Sequence, residues 1–153
     1  MGLVEKDYIE RMIRDIARFV AKMLGLVGKG DYEGALEQIR EACQSAFGTS
    51  YDLLDALSPE SAADVLRDAR AVREYAKLMA HEANILRLAG NQKHSESQQI
   101  RALEVFVEAE LRGAPADSTT MTQLRALQSA VNEDLPGARY RQWLDAHPRP
   151  SSS

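Results

Sequence analysis

Cysteine and tryptophan are almost missing from this chain of 153 residues, which contains one of each. A single cysteine cannot close an internal disulfide, and a domain of this length buries enough apolar surface to fold without one. Cys43 lies on an apolar helix face with no histidine near it in sequence, so we expect an inert core thiol. This cysteine usage suits a reducing cytoplasm.

Long apolar runs are also lacking. No stretch of about 18 apolar residues exists, so we expect no segment that spans a membrane. Met1-Gly2-Leu3 leads straight into charged residues, which predicts no signal peptide. The net charge of −4 is mildly acidic and argues against nucleic acid as a partner. We therefore predict a cytoplasmic protein with neither a membrane nor a nucleic-acid partner.

Signatures of catalysis and of metal binding are absent from the sequence as well. The three histidines, His81, His94 and His147, are not spaced as a metal pair, and none follows a glutamate at the spacing of a metal motif. No phosphate-binding glycine loop, nucleophile elbow or dinucleotide fingerprint occurs. We predict no catalytic residue, no metal ligand and no cofactor, and hence no enzyme.

Apolar residues recur at three- and four-residue steps along most of the chain, which predicts amphipathic helices. No segment alternates apolar and polar residues at period two, as a half-buried strand would. The sequence therefore predicts an all-α fold of about six to eight antiparallel helices in one domain over residues 1–147. The tail 148–153 has no periodicity and is predicted to be disordered.

Capping residues set the predicted helix boundaries. The first helix is expected over 4–27 and the second over 31–47, with Asp31 as the N-cap of the second. Ser58-Pro59 predicts the start of a helix that runs on, or bends, into a helix over 71–89. Three further helices are each expected to begin at one of two hydroxyl residues: Thr49 or Ser50, Ser95 or Ser97, Thr119 or Thr120. A last short helix follows Pro136-Gly137.

One segment is typical of a tight turn between two helices: Gly30-Asp31-Tyr32-Glu33-Gly34-Ala35-Leu36. After the turn, small residues stand where the two helices would cross, at a spacing that recurs twice. The three motifs are Ala35, Ile39, Ala42, then Ala62, Leu66, Ala69, then Ala102, Phe106, Ala109. The third follows the first at close to twice the roughly 34-residue period of a tetratricopeptide repeat. Such a pattern is typical of helical-hairpin repeats that bind other proteins.

Three strings together resemble an uncharacterised family of bacterial tetratricopeptide-like proteins. They are the opening Asp7-Tyr8-Ile9-x-Arg11-Met12-Ile13, the Gly-Asp-Tyr-x-x-Ala-Leu string at the turn, and Asp52-Leu53-Leu54-x-x-Leu57-Ser58-Pro59-Glu60. The resemblance covers about residues 5–112 and implies paired antiparallel helices in a bacterial cytoplasm, with no assigned activity. The chain departs from the repeat at Met23, where a small residue is expected, and in a long predicted loop from Gly90 to Ala102.

Two polar stripes are candidate binding sites. Lys77, His81, Asn84 and Arg87 step along one side of their predicted helix, and the resemblance implies that this side lines a groove for a bound peptide. Lysine would offer a point charge, and asparagine can pair with a peptide backbone as both donor and acceptor. Arg11, Arg14, Arg18 and Lys22 form a second stripe that could bind a carboxylate or a phosphate of a partner. The alternative for both stripes is a solvated helix face.

We therefore predict a non-enzymatic protein–protein interaction module that binds a peptide or a partner helix in a groove between helical hairpins. The alternative is a structural protein that associates with itself as a homodimer. Short solenoids leave apolar ends that need a cap or a second copy. The C-terminal residues Tyr140, Trp143 and Leu144 could either cap the array or form the contact between two copies.

Overall fold

The computed structural model describes residues 2–114, 117–131 and 136–147, and these ranges form eight helices and no strand. The all-α prediction is confirmed, whereas the tail 148–153 lies outside the described residues. The helices are Gly2–Gly28 (α1), Tyr32–Phe47 (α2), Tyr51–Asp55 (α3), Pro59–Leu66 (α4), Ala69–Leu88 (α5), Gln92–Leu111 (α6), Ser118–Ala130 (α7) and Ala138–Ala146 (α8).

Two long hairpins, α1–α2 and α5–α6, form the body of the molecule. Helix α2 packs against α5, and α1 also reaches α5, so the hairpins lie side by side. Helix α7 continues the array by packing on α5 and α6, and α8 covers part of α6. The short helices α3 and α4 fill the connection between the hairpins, where α4 contacts both α5 and α6. The largest fully buried side chains include Tyr75, Phe106, Met23 and Ile39, which come from all four hairpin helices.

The two hairpins share one turn geometry. Gly30 and Gly90 both adopt the left-handed backbone conformation, with φ of 77° and 86°, which favours glycine. The backbone N–H of the next residue, Asp31 or Asn91, donates back across the end of the preceding helix at 2.9 Å. That same residue then caps the following helix with its side chain. The two hairpins are therefore in register at Gly30 and Gly90.

This register corrects the predicted repeat. Helix α6 begins at Gln92, capped by Asn91, so neither Ser95 nor Ser97 is the cap and no long loop follows Gly90. Ala35 consequently corresponds to Ser95, and Ala42 corresponds to Ala102, so the third small-residue motif was placed about two helical turns too late. Ser95 is fully buried and donates its hydroxyl to the Ala83 carbonyl oxygen at 2.7 Å, which lets a polar residue occupy this crossing point.

Other predicted boundaries have mixed outcomes. The caps at Asp31, Ser50 and Ser58 are confirmed, because each side-chain oxygen accepts a hydrogen bond from a backbone N–H group. Helix α7 is capped by Asp117 and not by Thr119 or Thr120. The middle small-residue motif crosses a helix break, because Arg67 ends α4 with a φ of 69° and Asp68 caps α5. It therefore does not mark a third hairpin.

Cys43 lies in the core between the hairpins and is fully buried. Burial raises the pKa of its thiol far above the ordinary value, and the charge of Glu82 acts in the same direction. The thiolate form that would react is therefore suppressed at neutral pH. This environment agrees with the expected inert core residue.

Glu108 on α6 ties three helices together from a fully buried position. Its carboxylate accepts from Arg112 Nε at 2.9 Å, from Arg139 Nε at 3.0 Å and from the hydroxyl of Tyr140 at 3.0 Å. Arg112 also donates to Asp64 at 2.9 Å, which connects α4 to the same cluster. Burial opposes ionisation of this carboxylate, but the two arginines and the tyrosine outweigh it and lower the pKa of Glu108.

Glu82 on α5 belongs to a second buried polar cluster, at the junction with α3 and α6. It accepts hydrogen bonds from Gln98 Nε2 and from the hydroxyl of Tyr51, both of which are neutral donors. Asp55 adds a second carboxylate, 3.1 Å from Gln98 Nε2 and 3.4 Å from Arg101 Nε. Burial raises the pKa of Glu82 despite its two donors, and the charge of Asp55 adds to the rise.

Candidate binding site

A groove of about 300 Å³ opens between α5, the start of α6 and α7. Its floor is formed by small or aliphatic side chains: Ala80, Ala83, Ala126, Leu127 and Ala130. Its polar groups are His81, Asn84, Arg87, Gln99 and Gln123. The groove therefore combines a shallow apolar floor with amide, imidazole and guanidinium groups, and none of its lining residues is acidic.

Helix α5 supplies three of these polar groups because only one of its sides faces outward. Its other sides are covered by α1, α2, α4 and α6. Three of the four predicted residues, His81, Asn84 and Arg87, lie on the open side and line the groove. The structure thus brings most of the predicted α5 stripe together at one opening.

Lys77 differs from this prediction. Its ammonium lies 3.1 Å from Glu74 Oε2 and 3.3 Å from Asp117 Oδ2, and its side chain is only 16% exposed. Burial opposes ionisation of Asp117, but hydrogen bonds from Thr120 and the charge of Lys77 outweigh it and hold the pKa of Asp117 at about 2. Lys77 therefore fixes the N-terminus of α7 against α5 and does not line the groove.

His81 is half-buried in the lining of the groove. Burial lowers the pKa of its imidazole, and the positive charge of Lys77 lowers it further. The ring is therefore neutral at pH 7, with one nitrogen able to donate and the other able to accept. A neutral histidine suits the recognition of a polar group without net charge.

Asn84 and Arg87 form a pair at the edge of the groove. Arg87 Nη2 donates to Asn84 Oδ1 at 2.8 Å, and both side chains are exposed. This bond orients the guanidinium and leaves its remaining N–H groups for a ligand. Arg87 is the cation that lines this groove, so it would meet any carboxylate that binds there.

Gln99 and Gln123 were not predicted from the sequence. Gln99 donates to Ser95 Oγ at 3.3 Å, whereas Gln123 Oε1 is buried and accepts no hydrogen bond from the described residues. Gln99 belongs to α6 and Gln123 to α7, and the packing of these two helices on α5 brings both residues beside His81. A single helical stripe in the sequence carries no signal for such a partner.

The predicted basic stripe of α1 lies outside the groove. The stripe is exposed at all four positions, Arg11, Arg14, Arg18 and Lys22. Of these four side chains, Arg18 alone has an ion-pair partner within the described residues, Asp15 at 2.6 Å. In the register of the two hairpins, Arg14 and Arg18 correspond to Glu74 and Leu78, which α5 buries. The stripe therefore occupies the face that a preceding hairpin would cover, and it gives the array a polar end.

The first hairpin also lacks the polar groove residues. In the shared register, His81 corresponds to Ala21 and Asn84 to Leu24, which is 55% exposed. The polar groups are therefore a property of the second hairpin and not of the repeat.

Within the three described ranges, no group of histidine, cysteine and carboxylate side chains is placed to hold a metal ion. None of the described helices is long and apolar enough to cross a membrane. Comparison with known proteins finds no matching family model, no matching curated protein and no matching solved structure.

Proposed function

We propose that this chain is a non-enzymatic protein–protein interaction module that holds a peptide or a partner helix in the groove between α5 and α7. The observation that carries the proposal is the composition of that groove. Alanines at 80, 83, 126 and 130 leave room for a backbone to approach closely. Asn84, Gln99 and Gln123 carry amides, which can pair with a peptide backbone as donors and acceptors.

The order of the helices supports the same function. Helices α1 and α7 both pack on α5, as the first helices of successive hairpins do in tetratricopeptide-like proteins. The sequence resemblance to bacterial tetratricopeptide-like proteins implies the same arrangement of helices and a bacterial cytoplasmic setting. An array of this kind presents an elongated surface to a partner.

An affinity pull-down from the lysate of the source cell tests the proposal. The wild type is compared with an Asn84→Ala, Gln123→Ala double variant, which removes two amides from the groove. The matched control is an Arg11→Ala, Arg14→Ala double variant, which changes exposed side chains of α1 instead. We expect a partner that the wild type and the control capture and the groove variant loses.

Two other outcomes contradict this expectation. Capture of the same partner by all three proteins would show that the groove is not the binding site. Capture of the protein's own chain alone would favour the alternative, a self-associating structural protein. Tyr140 is buried, and Trp143 and Leu144 pack against the core of their own chain, so these residues leave little surface for a second copy.

A further inference from the structure

A second and larger cavity, of about 460 Å³, lies between the end of α6, α7 and α8. Its apolar lining comes from Met121, Leu124 and Trp143. The indole of Trp143 stacks on the imidazole of His147 with ring centroids 4.0 Å apart, and His147 Nδ1 lies 2.9 Å from the Trp143 carbonyl oxygen. The cavity is of a size that accepts small organic molecules.

Gln128 gives this cavity a polar group inside its lining. The residue is only 7% exposed, and its Nε2 donates to the His147 carbonyl oxygen at 3.3 Å. Gln128 also brings its amide oxygen to the cavity lining. An amide oxygen is an acceptor that can pair with a ligand N–H group.

Two charges of opposite sign complete the lining. Glu110 comes from α6 and Arg125 from α7. Neither forms an ion pair with another residue in the described part of the chain, although both line the same cavity. A ligand that carries a cation and an anion close together, joined to an apolar group, would complement this arrangement.

We propose that this cavity binds a free amino acid with a large apolar side chain. The carboxylate of the ligand pairs with Arg125, and its ammonium pairs with Glu110 and donates to Gln128 Oε1. The side chain lies against Trp143, Leu124 and Met121. This site is separate from the α5–α7 groove, so it does not depend on the function proposed for that groove.

Trp143 offers a direct readout, because it is the one tryptophan of the chain. Its fluorescence is followed while leucine, N-acetylleucine, leucinamide or glycine is added to the full-length protein, with calorimetry as the second measurement. We expect leucine to bind and glycine, which lacks a side chain, to give no response. Acetylation removes the ammonium and amidation removes the carboxylate, so each should weaken binding about tenfold.

Variants test which residue meets which charge. Glu110→Gln should abolish the preference for leucine over N-acetylleucine, and Arg125→Gln should abolish the preference over leucinamide. Arg141→Gln is the matched control, since Arg141 is exposed on α8 and does not line the cavity. The proposal is overturned if leucine changes neither signal, if the three leucine compounds bind equally, or if both preferences survive the substitutions in folded variants.

Discussion

Two glutamates of the α5–α6 hairpin lose almost all contact with water, and their surroundings differ. Glu108 accepts from two arginines and a tyrosine, whereas Glu82 accepts from a glutamine and a tyrosine and has Asp55 close by. The pKa of Glu108 is lowered and the pKa of Glu82 is raised. Both side chains are buried, and the charged donors of Glu108 favour its ionised form, whereas the neutral donors of Glu82 do not outweigh the effect of burial.

The structural consequences also differ. Glu108 joins α6 to α8 directly and to α4 through Arg112, so its ionised form holds separate elements together. Glu82 joins α5 to neighbouring helices through neutral donors, and its ionised form is costly in the core. One carboxylate therefore stabilises the fold when charged, and the other stabilises it when protonated.

Among changes to these two glutamate clusters, substitution of Glu108 by glutamine should have the largest effect on the free energy of unfolding. The variant removes the negative charge and one of the two acceptor oxygens that Arg112, Arg139 and Tyr140 share, and we expect a loss of about 3 kcal/mol in the free energy of unfolding. Urea denaturation measures it, with Glu96→Gln on the exposed side of α6 as the control. A loss no larger than that of the control would mean that the cluster does not hold α8.

Removal of one donor from the same cluster should have a smaller effect. Tyr140→Phe deletes a hydroxyl that donates to Glu108 at 3.0 Å, and we expect it to cost about 1.5 kcal/mol. It should also raise the pKa of Glu108, since one of the groups that lower it is gone. Tyr8→Phe, at an exposed position of α1, should leave the urea midpoint unchanged. Equal effects of the two substitutions would contradict the role assigned to Tyr140.

The Glu82→Gln variant should instead increase the free energy of unfolding at neutral and alkaline pH. Because the folded-state pKa of Glu82 is raised, its favourable contribution is complete below its ordinary value of 4.5 and is lost as the pH rises through the raised value. The glutamine variant has no such loss, so we expect it to be about 1 kcal/mol more stable than the wild type at pH 8. The difference should shrink as the pH falls toward 4.5.

Thermal unfolding of the wild type and the Glu82→Gln variant across this pH range measures the difference. Glu41→Gln, exposed on α2, is the control. Glu108 behaves oppositely, because its lowered pKa makes its contribution complete above 4.5 and lost as the pH falls through the lowered value. A Glu82 variant that is destabilised equally at every pH would show that packing, and not ionisation, dominates at this position.

The sequence predicted the helices well but not the start of α6. Apolar periodicity identifies α1, α2 and α5, and the caps at Asp31, Ser50 and Ser58 follow from their side chains. Residues 92–98 are uniformly polar, so they looked like a turn. They form a helix because the buried members of this segment, Ser95 and Gln98, find hydrogen-bond partners on α5 and α3.

The candidate site could be predicted only in part. His81, Asn84 and Arg87 share one side of one helix, and helical spacing was enough to group them. Lys77 has the same spacing, but Glu74 and Asp117 hold it elsewhere. Gln99 and Gln123 reach the groove through tertiary packing, and no local pattern marks the helix against which a residue will lie.

The shared turn at Gly30 and Gly90 also bears on the order in which the chain assembles. Each turn joins helices that are adjacent in sequence, so each hairpin closes through short loops that cost little chain entropy. Contacts of this local kind are typical of rapid folding. The hydrogen bond between Arg112 and Asp64 joins positions far apart along the chain, so it should form after the hairpins have closed. It would then fix α4 against the end of α6.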